Sequence, residues 1–134
     1  MNKLTARQLL MINSKLTGKE INVSEKLNKT LEDISKMPYE QNEMFFYKYK
    51  DSVEKAAKLG CSVVKIKPFV SKNRQTAVLA MLTLLKLNGV RIERYEKDIP
   101  QLVSFLDGDD FTNVCRWILT HKVEEDDFEQ TTET

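Results

Sequence analysis

Three basic side chains lie close together near the middle of the chain: Lys67, Lys72 and Arg74, with Asn73 between the last two. A strongly apolar segment, predicted to be a helix, follows them directly. Because the free N–H groups at the start of a helix attract anions, cations at this place predict a site for a phosphate group or an acidic protein segment. The alternative is a solvated loop that holds no ligand, and the sequence leaves both interpretations open.

Residues that commonly bind metals are few and scattered. The single histidine, His121, has no cysteine or histidine near it in the sequence, and no CxxC pair occurs, so we expect no metal site. The chain also has no glycine-rich phosphate loop and no nucleophile elbow, and we expect no cofactor. Cys61 and Cys115 each lie in an apolar stretch, and the chain opens on a polar, periodic segment. These features predict two buried, reduced thiols in a cytoplasmic protein without a signal peptide.

Helices are the elements expected to position the basic cluster. Only four glycines and three prolines interrupt the 134 residues, which favours helices over a many-stranded sheet. Apolar periodicity predicts helices at about 5–16, 24–36, 51–66, 73–88 and 98–107, and a sixth from Asp109 or Asp110 to about Val123. The fourth is apolar around most of its circumference, so the predicted fold is an all-α bundle of about six helices around it. Gly60, in the third helix, is expected to mark a close helix crossing.

Residues 39–50 (YEQNEMFFYKYK) are rich in aromatic side chains. Such side chains either fill the core or form an exposed adhesive surface. Because burial is the more common fate of large apolar side chains, we predict that this group packs into the core. The group consists of Met44, Phe45, Phe46, Tyr47 and Tyr49.

Charge is unevenly distributed, although the net charge is only +1. Residues 124–134 (EEDDFEQTTET) hold six acidic side chains and no basic ones, so residues 1–123 carry 21 bases against 14 acids, a net of +7. We predict one domain over 1–123 and an acidic, disordered tail over 124–134, which either aids solubility or contacts the basic loop or a basic partner. The bases are too dispersed to indicate nucleic-acid binding. No apolar run reaches the roughly 18 residues that a membrane span needs.

Three sequence features surround the basic cluster in a fixed order: Glu54-Lys55-Ala56-Ala57, then Lys67-Pro68-Phe69-Val70-Ser71-Lys72-Asn73-Arg74-Gln75-Thr76-Ala77, then Asn88-Gly89. In order and spacing they resemble the Doc (death-on-curing) branch of the Fic family. The central motif of those proteins reads His-Pro-Phe-x-Asp-Gly/Ala-Asn-Lys-Arg-Thr-Ala and lies in a loop between two helices. The resemblance is clearest over residues 51–89, extends over most of 1–123, and implies a compact Fic/Doc-like helical bundle.

The resemblance implies that the positions that shape the motif loop are kept. Pro68, Phe69, Asn73 and Thr76 match the family motif. Lys67 stands where the family has the histidine that acts as a general base. A lysine ammonium group has no lone pair with which to accept a proton, and losing a general base typically costs about 100- to 10,000-fold in rate.

Other positions that do the family's chemistry are also changed. Ser71 replaces the acid that holds magnesium, and a lone hydroxyl is a weak ligand for that hard cation. Lys72 replaces the small residue that lets the loop backbone approach a phosphate. Gln75 replaces an arginine that contacts the outer phosphates, whereas Arg74 keeps the charge of the family's lysine.

The sequence therefore predicts a catalytically inactive Doc/Fic-like protein that regulates another protein by binding it. Doc proteins belong to toxin–antitoxin modules of phages, plasmids and bacteria, so the resemblance implies a toxin, an antitoxin or a host factor as the partner. The main alternative is a diverged ATP-dependent transferase that adds a phosphoryl or nucleotidyl group to proteins. A second alternative is a nucleic-acid binder, which the dispersed bases do not favour.

Overall fold

The computed structural model describes residues 2–123, so the acidic segment 124–134, with its predicted disorder and contacts, lies outside the described residues. Six α-helices form in that range: α1 (Ala6–Thr17), α2 (Glu25–Lys36), α3 (Ser52–Ile66), α4 (Asn73–Leu87), α5 (Ile99–Asp107) and α6 (Phe111–His121). Two short 3-10 helices also form: Met37–Tyr39 directly follows α2, and Glu96–Asp98 directly precedes α5. Among the described residues no β-strand forms, and two isolated β-bridges occur. The all-α prediction is confirmed.

Capping side chains explain where the helices begin. Thr5 and Gln8 form a reciprocal capping box at α1, and the side chains of Ser24 and Asp51 each accept a backbone N–H in the first turn of α2 and α3. The side chain of Asp110 does the same for α6. Each such bond satisfies an N–H group that has no partner within the helix, and a cap of this kind stabilises a helix by about 1 kcal/mol. The predicted starts are thus confirmed, whereas α6 ends at His121, before the predicted Val123.

The α3–α4 pair forms the centre of the fold. Both helices contribute buried faces, and α4 also contacts α1 and α5. The predicted close crossing is confirmed at Gly60, where a Cβ atom would overlap the sulfur of Met81 and lie 3.2 Å from Cδ2 of Leu106. The prediction that α4 is enclosed on most sides is only partly right, because Leu79 and Leu87 are 41% and 38% exposed. No helix among residues 2–123 is long and apolar enough to cross a membrane.

The predicted burial of the 39–50 segment is wrong for most of its side chains. Met44, Phe45, Phe46 and Tyr47 are exposed, and Tyr49 is half-buried against Phe111. The reason is that this segment folds on itself as a short irregular hairpin outside the bundle. One of the isolated bridges, between residues 41 and 47, closes that hairpin.

The two thiols differ in burial. Cys61 is buried as predicted, but Cys115 is only half-buried, and both are free. Burial raises the pKa of Cys61 to about 11 and that of Cys115 to about 12. Both groups are therefore protonated and weakly nucleophilic at neutral pH.

The single histidine fastens the end of α6 to the start of α5. Nε2 of His121 lies 2.7 Å from a carboxylate oxygen of Asp98, and Nδ1 lies 2.7 Å from the carbonyl oxygen of Trp117. The indole N–H of Trp117 in turn donates to the carbonyl oxygen of Asp98. Since both ring nitrogens face acceptors, the imidazolium form satisfies both contacts. Burial opposes that charge, but the hydrogen bonds to Asp98 and Trp117 and the charge of Asp98 outweigh it, and the pKa of His121 is raised.

This raised pKa predicts a pH dependence of stability. The contribution of the His121–Asp98 pair is fully present below the unfolded-state pKa of about 6.5 and is lost as the pH rises through the higher folded-state pKa. The difference in free energy of unfolding between the wild type and Asp98→Asn should be larger at about pH 5.5 than at about pH 9. Urea unfolding at the two pH values measures it. A difference that does not change with pH would show that His121 is neutral in the folded protein.

Candidate functional site

The substituted motif occupies the connection between α3 and α4, as predicted. Lys67 ends α3 with a φ of +51°, and its N–H donates to the carbonyl oxygen of Val63 at 2.9 Å. Lys72 precedes α4 with a φ of +60°. Left-handed backbone costs an L-residue other than glycine roughly 1–2 kcal/mol. A glycine, which the family motif allows at this position, would avoid the cost that Lys72 bears.

The side chain of Asn73 fixes the conformation of this loop. Its Oδ1 accepts a hydrogen bond from the N–H of Phe69 at 3.0 Å, and its Nδ2 donates to the carbonyl oxygen of Phe69 at 2.9 Å. The Phe69 ring is buried. The loop is therefore held at Phe69 in two ways. The Phe69 backbone is hydrogen-bonded to the Asn73 side chain, and the Phe69 ring packs into the protein.

Asn13 of α1 holds the other half of the loop. Its Nδ2 donates to the carbonyl oxygen of Ser71 at 2.9 Å and to Oγ1 of Thr76 at 3.0 Å, and Thr76 donates to the carbonyl oxygen of Lys72 at 2.8 Å. Asn13 is 2% exposed. Asn13 was not predicted as a site residue. A signal was present, because Asn13 lies four residues after Leu9 on the buried face of its helix, where a polar side chain needs a partner.

The positive charge of the loop is partly neutralised by the turn between α5 and α6. Nε of Arg74 lies 2.8 Å from an Asp107 oxygen, which raises the pKa of Arg74, and Nζ of Lys65 lies 3.5 Å from an Asp109 oxygen. These pairs were not predicted, because the two aspartates lie more than 30 residues away in the sequence. Lys67 and Lys72 are exposed, and the described part of the chain gives neither of them a salt bridge.

A recess of about 200 Å³ opens in front of the N-terminus of α4. It is lined by Val64, Lys67, Lys72, Asn73, Arg74 and Gln75. The helical hydrogen bonds of α4 begin with the bond from the Thr76 N–H to the carbonyl oxygen of Lys72, so the preceding N–H groups have no partner within the helix. The structure thus brings together the four residues proposed for anion binding, Lys67, Lys72, Asn73 and Arg74, around free backbone donors.

Three further motif residues lie on the other side of the loop. Pro68, Phe69 and Ser71 line a larger groove of about 560 Å³, which the loop forms with the α1–α2 connection. Asn13, Ile21 and Leu27 also border this groove. The Ser71 hydroxyl is therefore not among the groups that surround the basic recess.

The residues present do not fit the magnesium ion that the family resemblance implies. Ca²⁺ and Mg²⁺ prefer carboxylate oxygens, and the recess is lined by no carboxylate. No cluster of three or more histidine, cysteine, aspartate or glutamate side chains that could hold a metal occurs within residues 2–123. The nearest acids, Asp107 and Asp109, are already paired with cations.

The position of Asn13 predicts a measurable cost of losing it. Asn13→Ala leaves the Ser71 carbonyl without its Asn13 donor in a part-buried site, and an unsatisfied buried group costs about 1–3 kcal/mol. Urea unfolding should show that loss, and amide hydrogen exchange should accelerate at residues 69–76. The matched control is Asn28→Ala, because the exposed side chain of Asn28 bonds to Glu32 in its own helix. Equal effects of the two substitutions would mean that Asn13 does not hold the loop.

Comparison with protein-family models matches residues 3–85 to the Fic/DOC family. Comparison with curated proteins and with solved structures gives no match. The matched range takes in α1, α2, α3, the whole motif loop and most of α4, which is more than half of the chain. The chain therefore belongs to the Fic/DOC family.

Proposed function

We propose that this protein is a catalytically inactive member of its family and regulates another protein by binding it. One observation supports this most strongly: a single loop combines a hydrogen-bonded scaffold with substitutions at its reactive positions. Asn13 and Asn73 hold it through three hydrogen bonds to its backbone and one to the Thr76 hydroxyl. In contrast, Lys67 and Ser71 occupy the positions of the base and the metal ligand.

The recess offers no substitute for the missing base. Its lining consists of a valine, an asparagine, a glutamine and three basic side chains. An amide is not basic, and an ammonium or guanidinium group donates protons but has no lone pair to accept one. His121 cannot serve, because it is bonded to Asp98 and Trp117 at the end of α6.

Phosphoryl and nucleotidyl transfer depend on cations that stabilise the charge developing on the phosphate. In the recess Gln75 supplies no charge, and the Arg74 guanidinium is bonded to Asp107. Without a metal ligand, Lys67 and Lys72 are the cations left to meet a phosphate. This arrangement suits the binding of an anion better than the transfer of a group.

The retained surface fits a partner with an acidic segment. Lys67 and Lys72 are exposed and lie beside the free N–H groups of α4, a place that favours negative charge. Following the family resemblance, we propose a toxin, an antitoxin or a host factor as the partner, in a phage or toxin–antitoxin context. The competing interpretation is that the loop is solvated and that the protein contacts its partner elsewhere.

A pull-down from bacterial lysate tests the proposal. Tagged protein should retain a stoichiometric partner without nucleotide, and mass spectrometry should find no phosphoryl or adenylyl group added to any protein when Mg-ATP is present. Lys67→Glu with Lys72→Glu should weaken the retention by about tenfold or more, since each reversal turns an attraction into a repulsion. The matched control is Lys26→Glu with Lys29→Glu, two exposed lysines on α2.

The outcomes separate the alternatives. A protein modified only with Mg-ATP would establish the transferase and overturn the proposal. If the charge reversals at Lys67 and Lys72 do not change the amount of partner retained, the protein still binds a partner. Its contact surface then lies away from the motif loop. If no protein is retained and none is modified, the regulator role is wrong.

A further inference from the structure

The connection between α2 and α3 presents three consecutive apolar side chains to solvent. Met44, Phe45 and Phe46, called the aromatic tip here, are 72%, 81% and 67% exposed. Exposed apolar side chains are common singly, but a contiguous exposed group often marks an interaction site. The aromatic tip is therefore a candidate contact surface, separate from the motif loop.

The aromatic tip has a defined conformation. Oδ1 of Asn42 accepts hydrogen bonds from the N–H groups of Met44 at 2.9 Å and Phe46 at 3.1 Å. The backbone of Asn42 donates to the Phe46 carbonyl oxygen and accepts from the Phe45 N–H. Phe45 has a φ of +65°, which costs a bulky residue roughly 1–2 kcal/mol. Because Phe45 is exposed, core packing does not hold this conformation, and the hydrogen bonds of Asn42 do.

A buried lysine fastens the hairpin to the bundle. Lys55 of α3 is 2% exposed, and its Nζ donates to the carbonyl oxygen of Tyr49. The same ammonium group lies 4.6 Å from the centre of the Tyr47 ring, a cation–π contact. Tyr47 and Tyr49 follow the aromatic tip directly, so the stem of the hairpin is held while its apolar side chains project outward. An anchor that is already ordered loses less conformational entropy on binding.

The aromatic tip and the motif loop lie at opposite ends of α3. The tip precedes the first residue of α3 and the loop follows its last one, and the 15 residues of the helix span roughly 22 Å. A partner of modest size can contact one end without the other. The two surfaces can therefore be tested separately.

A dimer joined tip to tip does not suit the aromatic tip. Taking roughly 200 Å² for each side chain and the exposed fractions of 72%, 81% and 67%, the tip exposes on the order of 440 Å². Two tips meeting each other would bury about 900 Å² in total, below the roughly 1,200 Å² at which stable specific interfaces begin. A cleft that encloses the tip buries its flanks as well and gains more area.

The charges of the hairpin do not suit an anionic membrane. Glu40, Glu43, Lys48 and Lys50 balance one another over residues 40–50, and Lys48 is paired with Glu40 at 3.3 Å. Segments that lie on membranes usually surround their apolar face with unpaired bases. The balanced charge fits the apolar cleft of a protein with a nearly neutral rim.

We propose that the aromatic tip is a docking anchor that inserts Phe45 and Phe46 into an apolar cleft of a different protein. Aromatic side chains that fill a pocket at the centre of an interface typically contribute most of its binding energy. Such docking explains the exposure of three large apolar side chains. The hydrogen bonds of Asn42 and the buried Lys55 hold the hairpin that presents them. The docking depends neither on the loss of catalysis nor on the basic recess.

Site-specific photocrosslinking tests this inference on the full chain. Benzoylphenylalanine at position 45 should, on irradiation in bacterial lysate, form an adduct with one other protein that mass spectrometry identifies. The same probe at position 119, where Leu119 is 54% exposed on α6, should not. With that protein purified, Phe46→Ser should raise the Kd about 30-fold or more, the loss typical of a hot-spot residue. Phe46→Leu, which keeps an apolar side chain, should retain most of the wild-type affinity. Leu119→Ser should leave the affinity unchanged.

Four results would overturn the inference. They are an adduct only with a second copy of the chain, an adduct only with residues 124–134, insertion into anionic vesicles, and no adduct at position 45. Unchanged thermal unfolding of Phe46→Ser, expected because the side chain is exposed, guards against a folding defect. Lys67→Glu with Lys72→Glu should leave the position-45 adduct intact. A failure of the proposed binding at the motif loop can therefore be told apart from a failure of docking at the aromatic tip.

Discussion

The buried amide of Asn13 is the contact on which the site depends. It links α1 to both ends of the same turn, the carbonyl oxygen of Ser71 and the hydroxyl of Thr76. Because Asn13 is almost fully enclosed, these bonds form away from water, where an unpaired partner is costly. They hold the end of the motif loop and the first turn of α4 against α1. The recess and its cations lie beside this first turn.

This dependence explains how the reactive positions of the loop can carry substitutions while the loop stays held in place. The groups that hold the loop, Asn13, Phe69 and Asn73, point into the protein or back onto the backbone. The groups that would react project from it, and changing them removes no bond on which the fold relies. Lys72 shows the limit of this freedom, since it occupies a left-handed position at a cost that a glycine would avoid.

Much of the fold was predictable because its signals are local. Thr5, Ser24 and Asp51 are N-cap residues that mark the starts of three helices. The apolar character of residues 73–88 identifies the central helix. The motif residues were found because they are contiguous. The roles of Asn13 and of the Arg74 pairing were not predictable, because each depends on a partner at least 33 residues away. Residues 39–50 were expected in the core, because aromatic composition indicates burial but not whether a segment turns away from the core.

Our proposal is that the loop keeps a backbone able to support the family's reaction and lacks only the reactive groups. Its most direct test is to replace those groups together, with Lys67→His, Ser71→Asp, Lys72→Gly and Gln75→Arg, and to measure transfer from labelled Mg-ATP to lysate proteins. We predict no labelling by the wild type and clear labelling by the protein with the four restored residues. Labelling by the wild type at a rate comparable to that of the restored protein would contradict it.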